Sequence, residues 1–381
     1  INTCSVTNEA DKKDRKLIHT TRNNHKDKIL IVMGCFSQLN PDVIDADIIL
    51  GNKHKSKIIE LIKEYQNKKE KIIKVEDISD TNFEDMYINR FIEHTRAFVK
   101  IQDGCNAFCA YCTIPYARGN LRSKKFSKVI EEVSELVNNG YKEIVLTGIH
   151  TGRYGKEQNT NLETLLRELV KIEGIFRIRL SSIEINEITD GIINLIKNNS
   201  IMAKHLHIPL QSGSNEILSL MNRKYKKEYF IDRIDYIRKE IPDISITTDL
   251  IVGFPNETEE YFEETIDTLK KIKFSKIHTF PYSKRNGTVA ATMPNQVDGN
   301  VKKCRVKEVL MLSNCYEEEF YKSKIGNNYD GIVEDRKDGK KVVVTSNYIP
   351  VVIDDKEVLA NTIVDVKIKE VKNGIVFGEV I

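Results

Sequence analysis

Residues 97–112 have the sequence AFVKIQDGCNAFCAYC, in which a strand-like apolar run is followed by three cysteines. Ala97–Ile101 predicts a short β-strand, and Cys105, Cys109 and Cys112 lie just after it, within eight residues. Thiolates are the usual ligands of iron–sulfur clusters, which commonly take four, so three cysteines leave one iron open to another ligand. A structural zinc site is the alternative, but it is closed by four ligands, and no second pair follows at the usual spacing. The pattern therefore favours an iron–sulfur site in the loop after a strand.

Short apolar runs alternate with amphipathic segments after this loop. Strands that alternate with helices imply parallel pairing through right-handed crossovers. Six such units are too few for a complete eight-stranded barrel but enough for a partial one, whose active site we expect in the loops after the strands. The predicted strands are Ala97–Ile101, Glu143–Thr147, Arg177–Leu180, Leu206–Ile208, Ser245–Ile251 and Lys276–Phe280. The predicted helices are Ser127–Asn139, Leu162–Ile172, Glu187–Lys197, Glu228–Glu240 and Glu257–Lys273.

Residues 1–75 predict a smaller α/β domain. A helix from Thr7 to about His25 is followed by the strand-like runs Ile29–Met33 and Asp47–Leu50 and by a helix over Lys55–Gln66. Residues 76–93 follow neither the helical nor the strand period, which predicts a linker. We expect the partial barrel over residues 94–300 and a connecting helix over 301–322.

The last segment, 323–381, is different in kind. Its five short alternating runs are separated by Asp-Gly, Asn and charged turns, which predicts a small all-β barrel of the oligonucleotide-binding type. Its lysines could face a phosphate backbone, or they could protect a solvated sheet edge. The runs are 331–333, 341–345, 351–353, 363–369 and 374–380, and the lysines are Lys337, Lys340, Lys341, Lys367, Lys369 and Lys372.

Length and composition limit the class of protein. A chain of 381 residues exceeds one hydrophobic core and suggests two or three domains. The 59 Lys and Arg against 56 Asp and Glu give a net charge of +3, too small a surplus to indicate nucleic acid by itself. The apolar runs are too short for a membrane span and a signal-peptide pattern is absent, so we expect a cytoplasmic location and no membrane partner.

The three-cysteine loop resembles the signature of the radical S-adenosylmethionine (SAM) enzymes, because the spacing is C-x3-C-x-aromatic-C after the first strand of a partial barrel. The resemblance implies that Cys105, Cys109 and Cys112 hold a 4Fe-4S cluster whose fourth iron binds SAM. It also implies that Tyr111 packs beside the adenine. Electron transfer to SAM would then yield a 5′-deoxyadenosyl radical, so a reducing electron donor is implied as a partner.

The first 35 residues of the chain indicate one family among the radical SAM enzymes. Asn-Thr-Cys at residues 2–4 and Gly-Cys at 34–35 are similar to the N-terminal domain of methylthiotransferases, which holds an auxiliary 4Fe-4S cluster on three cysteines. Cys4 and Cys35 would be two of these ligands, and ordinary buried thiols are the alternative. The sequence opens on Ile1, so we expect the third cysteine in a strand that precedes it, and two clusters in the full-length protein. The alternative is that the auxiliary cluster cannot form in this chain.

The resemblance extends along nearly the whole chain. The sequences VLTGIHTG (145–152), LHIPLQSGS (206–214) and IVGFPNET (251–258) are similar to family segments that follow successive barrel strands. Asn256 stands where the family usually has Gly, and Asn tolerates positive φ. The last segment matches the RNA-binding TRAM domain in size and place. The implied fold is α/β: a partial (β/α)6 radical SAM barrel with an N-terminal α/β methylthiotransferase domain and a C-terminal small all-β TRAM barrel.

Three segments indicate a subgroup of this family. GIHT at 148–151, CTIPYARG at 112–119 and FPYSKR at 280–285 are most like the MtaB type. That type adds a methylthio group to C2 of N6-threonylcarbamoyladenosine at position 37 of tRNA, with one SAM as methyl donor and a second as radical source. The tRNA anticodon arm would be the partner. The alternatives are the isopentenyladenosine type, the type that acts on ribosomal protein S12, and a non-enzymatic zinc RNA-binding protein.

Several residues near the predicted strand ends are candidates for SAM contacts. Glycines permit close backbone approach, and neutral or acidic side chains could bind the ribose or amino group of SAM. Ordinary turn glycines, and a salt bridge for the acidic residue, are the alternatives. The candidates are Thr147, Gly148, Ser182, Glu184, Gln211 and Gly253.

Two histidines, two further cysteines and a basic loop are interpreted without a role in the cluster or in SAM binding. His205 and His207 share one face of a strand, which favours barrel-lining histidines over metal ligands. Cys304 and Cys315 lie about three turns apart on one helix, which predicts a packed face. Lys284 and Arg285 could bind tRNA phosphates, with Tyr282 as a stacking partner for a loop base.

Overall fold

The computed structural model describes residues 1–79, 81–86, 95–336, 338–355 and 357–381. The chain forms two compact units. The N-terminal unit combines Ile1–Met86 with Gln102–Lys124 and Ser283–Pro294, and the barrel unit contains Lys125–Tyr282, Asn295–Ile381 and the chain immediately before Gln102. All five cysteines of the predicted cluster sites therefore belong to the N-terminal unit. The domain boundaries taken from the sequence stay predictions.

The secondary structure alternates along most of the chain. The strands are β1 (Asn2–Thr3), β2 (Ile31–Gly34), β3 (Ile48–Leu50), β4 (Ile72–Lys74), β5 (Arg96–Asp103), β6 (Arg122–Ser123), β7 (Glu143–Gly148), β8 (Arg177–Leu180), β9 (His205–His207), β10 (Ser245–Val252), β11 (Lys276–Pro281), β12 (Asn328–Asp335), β13 (Lys341–Thr345), β14 (Pro350–Ile353), β15 (Ile363–Lys372) and β16 (Ile375–Val380). The helices are α1 (Asn8–Asn24), α2 (Cys35–Leu39), α3 (Ile58–Lys68), α4 (Ile114–Arg118), α5 (Phe126–Asn138), α6 (Leu162–Leu169), α7 (Asp190–Asn198), α8 (Asn215–Leu220), α9 (Lys227–Glu240), α10 (Glu259–Ile272), α11 (Val289–Thr292) and α12 (Gly299–Lys322).

Side-chain caps explain where several helices begin. The hydroxyl or amide oxygen of Thr7, Asn161, Thr189 and Thr258 accepts a hydrogen bond from the backbone N–H three residues later, at the starts of α1, α6, α7 and α10. Such caps satisfy a donor that has no partner inside the helix. The start of each of these helices is therefore determined by its local sequence, and tertiary packing adds further stability.

The N-terminal unit contains a four-stranded parallel sheet in the order β1-β2-β3-β4. Its apolar core includes Ile18 of α1, Val32 of β2 and Phe36 of α2, each at most 5% exposed. The α/β character predicted for residues 1–75 is confirmed. The described part of the predicted linker, 76–79 and 81–86, has no helix or strand, and its residues 80 and 87–93 lie outside the described residues.

The six strands predicted for the partial barrel are all present and follow one another in order. β5, β7 and β8 are neighbours in one sheet, β9, β10 and β11 in another, and a parallel bridge between Ser182 and His207 joins the two edges. One apolar residue from each strand points into the same core: Val99, Ile144, Ile178, Leu206, Ile246 and Ile277, each at most 1% exposed. The sheet is therefore curled, and the fold class is confirmed. The short strand β6, which pairs with the end of β5 in antiparallel fashion, was not predicted.

The C-terminal segment forms the predicted five-stranded closed barrel, in the order β12-β13-β14-β16-β15. Val333, Val343, Val351, Val366 and Val376 fill its interior, each at most 1% exposed. Among its lysines, Lys340, Lys369 and Lys372 are exposed, Lys341 pairs with Asp335, and Lys337 lies outside the described residues.

A long helix, α12, is present where the connecting helix is predicted, but its packed face differs from the prediction. Arg305, Val309, Ser313 and Tyr316 are buried, whereas Cys304 and Cys315 are exposed. Each cysteine lies one residue before a buried position, and one residue turns the helix by about 100°. The packed-face explanation for these cysteines is therefore wrong. No helix in the described part of the chain is both long and apolar enough to cross a bilayer.

A buried charge network attaches the C-terminal barrel to the curled sheet. The carboxylate of Glu143, at the start of β7, is fully buried and lies 2.7 Å from Arg179 Nε and 3.5 Å from Arg177 Nη1. The two guanidinium groups donate onward to backbone carbonyls of the barrel, Arg177 to Val344 at 3.0 Å and Arg179 to Thr345 at 3.3 Å. Burial alone would raise the pKa of Glu143, but Arg179 and Arg177 overcome this effect and lower it. Glu143 is therefore held as a carboxylate.

We expect Glu143→Ala to lower the free energy of unfolding by about 3–5 kcal/mol, because it leaves the buried Arg179 without its counter-charge and Arg177 with only the partly exposed Asp330. Urea unfolding followed by circular dichroism measures the change. The matched control is Glu168→Ala, which removes a largely exposed pair with Lys171 and should cost at most about 0.5 kcal/mol. Equal losses in the two variants would contradict this role of Glu143.

Candidate active site

The cysteine loop begins with a turn that only glycine adopts easily. Gly104 has φ +73°, and a Cβ atom at this position would lie 1.9 Å from the carbonyl oxygen of Asn120. The backbone N–H of Cys105 donates to the carbonyl of Gly119 at 3.0 Å, and that of Cys112 to the carbonyl of Cys109 at 2.9 Å. The loop is therefore closed at its base and folded into a turn between its second and third cysteines.

The sulfur atoms of this loop have an environment that suits cluster ligands. Cys105, Cys109 and Cys112 are half-buried, and the backbone N–H of Ala107 donates to Cys105 Sγ at 3.4 Å. Such N–H···S bonds are a recurrent feature of iron–sulfur sites. Within the part of the chain that the structure describes, no group of three or more His, Cys, Asp or Glu side chains is arranged around a common metal position. The fit of a cluster therefore rests on the kind of donors and their spacing.

Cys4 and Cys35 follow two adjacent parallel strands. Cys4 comes directly after β1 and Cys35 directly after β2, and the register pairs Thr3 with Gly34. Gly34 has φ +112°, and a Cβ atom there would lie 2.4 Å from the carbonyl oxygen of Thr3. Because parallel neighbours end at the same sheet edge, the two cysteines lie at one edge. Cys35 is buried and Cys4 is exposed.

Two residues that the sequence interpretation did not single out contact the Cys35 sulfur. Arg118 Nε donates to Cys35 Sγ at 3.2 Å, and Asn52 Nδ2 lies 3.6 Å from the same sulfur. Burial would lower the pKa of Arg118, but the Cys35 sulfur and Asp103 overcome this effect and raise it. The only sequence signal was the Arg-Gly pair at 118–119, and nothing marked Asn52.

Two of the three predicted RNA contacts after the sixth strand, Tyr282 and Arg285, are buried. Arg285 is 6% exposed and pairs with Asp11 at 2.7 Å, and its second Nη atom donates to Ser5 Oγ at 2.6 Å. Tyr282 is 4% exposed, and its ring packs edge-on against Phe254. Neither side chain is placed for RNA in this structure, whereas Lys284 is exposed. Arg285 instead holds the segment next to Cys4.

Within the barrel unit, the SAM candidates lie along one edge of the curled sheet. Gly148 ends β7, Ser182 and Glu184 follow β8, Gln211 follows β9 and Gly253 follows β10. Thr147 Oγ1 donates to the carbonyl of Val99 at 3.2 Å, so this hydroxyl is already engaged with the neighbouring strand. Glu184 forms an ion pair with Arg223, as in the salt-bridge alternative. Their contact with SAM stays a prediction.

Two of these candidates adopt unusual backbone conformations. Gln211 has φ +65°, and its backbone N–H donates to the carbonyl of Asp249 at 2.9 Å. Gly253 has φ +71°, its N–H donates to the Glu257 carboxylate, and a Cβ atom there would lie 2.3 Å from Lys302 Cγ. Asn256, where the family usually has Gly, has φ +67°, as its tolerance of this region predicts. These turns shape the loops after β9 and β10.

The histidines line the sheet as predicted. His205 Nε2 and His207 Nδ1 both lie within hydrogen-bond distance of Thr247 Oγ1, at 3.2 and 2.9 Å. Burial lowers the pKa of His205 well below its usual value, which favours the neutral ring. Together with Arg179, Lys276 and Tyr348 they line a cavity of about 540 Å³ inside the barrel unit.

Two protein families match parts of the chain. The family described as the Radical SAM superfamily matches residues 99–269, and the family described as Uncharacterized protein family UPF0004 matches residues 1–51. Among solved structures, the radical SAM methyltransferase TsrM from Kitasatospora setae has a TM-score of 0.59 at 14% identity, over 76% of this chain and 64% of its own. That likeness concerns the fold alone.

Curated relatives cover more of the chain at higher identity. Threonylcarbamoyladenosine tRNA methylthiotransferase MtaB of Bacillus subtilis (strain 168) is 44% identical over 97% of this chain and 84% of its own. The protein of the same name from Aquifex aeolicus (strain VF5) is 39% identical, over 92% of this chain and 86% of its own. A tRNA-2-methylthio-N(6)-dimethylallyladenosine synthase of Thermoanaerobacter pseudethanolicus is 37% identical, over 100% of this chain and 84% of its own. With the cysteine loop in place and relatives of this identity along its length, the chain belongs to the radical SAM methylthiotransferase family.

Proposed function

We propose that this protein transfers a methylthio group to C2 of N6-threonylcarbamoyladenosine at position 37 of tRNA. The observation that carries the proposal is the 44% identity, over nearly the whole chain, with a relative named for threonylcarbamoyladenosine in tRNA. The relative named for dimethylallyladenosine is 37% identical, so the isopentenyladenosine type is the second candidate. The two types differ in the modified nucleoside that they produce. Because the substrate is tRNA, we propose a cytoplasmic location.

Membership of the family implies a 4Fe-4S cluster, SAM and a second cluster. The cysteine loop supports the assignment of Cys105, Cys109 and Cys112 to the first cluster, and the shared sheet edge supports Cys4 and Cys35 for the second. When bound, the first cluster and SAM supply the one-electron cleavage of the sulfonium bond. The chain itself fixes the cysteine loop through Gly104 and excludes water from Cys35. An external one-electron donor is part of this proposal.

We assign the SAM contacts to the residues at the edge of the curled sheet and to one residue of the cysteine loop. Backbone groups near Gly148 and Gly253 can approach a ligand closely because these positions lack a side chain. The Gln211 amide can bond a carboxylate or a ribose without adding charge. The proposed set is Tyr111, Thr147, Gly148, Ser182, Glu184, Gln211 and Gly253.

Exposed aromatic rings beside the cysteine loop support an RNA substrate. Phe108 and Tyr116 are 50% and 49% exposed, and their ring centroids lie 6.1 Å apart in an edge-to-face arrangement. Single-stranded RNA bases are commonly recognised by stacking on such rings. The exposed Lys340, Lys369 and Lys372 of the C-terminal barrel can meet phosphates. We propose that the anticodon arm binds both surfaces.

The function is tested by nucleoside analysis of tRNA from a strain that lacks the gene. The wild-type gene should restore 2-methylthio-N6-threonylcarbamoyladenosine, and Cys105→Ala/Cys109→Ala/Cys112→Ala should not, because it removes the ligands of the radical cluster. Cys304→Ala/Cys315→Ala is the matched control, since both thiols are exposed on α12, and it should restore the product. Methylthiolated isopentenyladenosine as the restored product would favour the second candidate. No restored nucleoside would overturn the proposal.

We expect Gly104→Ala to lower the iron content by about four atoms per chain, the content of one 4Fe-4S cluster. The added Cβ would meet the Asn120 carbonyl at a positive φ, so the cysteine loop must shift. Gly140→Ala is the control, because Gly140 also has positive φ, at +94°, but no atom lies within 4 Å of the added Cβ. Iron is counted after anaerobic reconstitution. A full iron content in Gly104→Ala would show that the loop tolerates the shift.

Tyr116→Ala should weaken tRNA binding by about 1–3 kcal/mol, the usual worth of one base stacked on an aromatic ring. Fluorescence anisotropy with a labelled anticodon stem-loop measures the affinity. Tyr229→Ala on α9 is the control, because Tyr229 is 47% exposed and lies in the barrel unit. Equal affinities for the two variants would remove Tyr116 from the proposed RNA surface.

A further inference from the structure

One guanidinium group connects the two cysteine sites of the N-terminal unit. Arg118 Nε donates to Cys35 Sγ at 3.2 Å, and Arg118 Nη1 lies 3.5 Å from Asp103 Oδ2. The other oxygen of Asp103 accepts a hydrogen bond from the backbone N–H of Gly104 at 2.8 Å. Gly104 is the residue before Cys105. A continuous polar path therefore runs from the sulfur of Cys35 to the base of the cysteine loop.

Along this path, the guanidinium group of Arg118 places a positive charge beside the Cys35 sulfur. Asp103 is shared between Arg118 and Arg122, whose Nη2 lies 3.2 Å from Asp103 Oδ2. Arg118 contacts both the buried Asp103 carboxylate and the Cys35 sulfur, so its positive charge lies beside that sulfur. A neutral packed thiol needs no cation beside it, and partial burial of Arg118 next to such a thiol would cost free energy. The arrangement therefore suits a sulfur that carries negative charge, as a cluster ligand does.

A second donor comes from the sheet edge that holds Cys35. Asn52, two residues after β3, places Nδ2 3.6 Å from Cys35 Sγ and donates to the carbonyl of Ala117 at 2.8 Å. Ala117 and Arg118 both belong to α4, the short helix that follows the cysteine loop. Cys35 is only 5% exposed, so these contacts are largely shielded from water. Both donors thus tie Cys35 to the same helix.

We propose that Arg118 is a positioning residue that fixes Cys35 relative to the cysteine loop and raises the reduction potential of the auxiliary cluster. Hydrogen bonds to cluster sulfur stabilise the more negative, reduced state, and a charged donor does so more strongly than a neutral one. Groups outside the ligand set commonly tune metal sites in this way. The inference rests on the proposed function, because it takes Cys35 as a ligand of the second cluster.

The test measures the auxiliary cluster alone. The protein is expressed from its complete reading frame with Cys105→Ala/Cys109→Ala/Cys112→Ala, reconstituted anaerobically and titrated with a reductant under electron paramagnetic resonance. We expect Arg118→Leu to make reduction at least tenfold less favourable, a shift of about 60 mV to lower potential for one electron. Arg118→Lys, which keeps the charge but not the planar fork, should recover part of the shift.

The matched control is Arg22→Leu. Arg22 has a side chain 20% exposed, against 22% for Arg118, and it also pairs with a carboxylate, Asp47, at 3.0 Å. Asp47 directly precedes β3, so this pair lies at the opposite sheet edge from Cys35. Arg22→Leu removes the same charge from the same unit and should leave the potential unchanged.

The outcomes separate this inference from the proposed function. An unchanged potential in both Arg118 variants would overturn the inference, even if the wild-type protein methylthiolates tRNA. An equal shift in Arg22→Leu would also overturn it, because the effect would then follow from net charge. If Arg118→Leu retains no iron, the potential of Arg118→Lys decides the question. A wild-type protein that takes up no iron would instead contradict the proposed function.

Discussion

Parallel strand pairing is the constraint on which the site depends. Strands that run in one direction end at one sheet edge, so residues far apart in sequence meet there without any local signal. Cys4, Cys35 and Asn52 come together because each follows one of three adjacent parallel strands. The same rule places the loops after β7, β8, β9 and β10 along one edge of the curled sheet. The candidate site residues are thus distributed over strand ends, whereas the strands and the helices that cover them supply the packed core.

Much of the fold follows from periodicity. The six barrel strands, the helices between them and the five strands of the last segment lie within a few residues of their predicted bounds, since each is a long enough run of one pattern. Among the helices between the barrel strands, the largest differences are three residues: α6 stops at Leu169 instead of Ile172, and α7 begins at Asp190 instead of Glu187. The elements β6, α4 and α8 were not predicted, because the two helices span fewer than two turns and β6 has only two residues, so none of them shows a repeated pattern.

In the candidate site, some residues could be recognised from the sequence and others only from the fold. The cysteine loop could be recognised because the spacing of Cys105, Cys109 and Cys112 is local, and the resemblance to a known family carries its predicted role as a cluster site. Arg118 and Asn52 could not, because their contact with Cys35 joins positions 83 and 17 residues away. Arg285 shows the reverse case: its sequence neighbours suggest a basic RNA-binding loop, but its partner Asp11 lies at the other end of the chain and buries the charge. A sequence shows which residues are charged, and only the fold shows which charges are already paired.

The network around Glu143 has a consequence for the order in which the protein is made. Strands β7 and β8 leave the ribosome long before residues 344–345, whose carbonyls accept hydrogen bonds from Arg177 and Arg179. Until then the nascent sheet holds two guanidinium groups with one carboxylate and no carbonyls to complete their bonding. During synthesis, water must hydrate the side chains of Arg177 and Arg179. These side chains become buried only when the C-terminal barrel packs against the sheet. The buried bonding of Arg177 and Arg179 is therefore complete only after the C-terminal barrel has been synthesised.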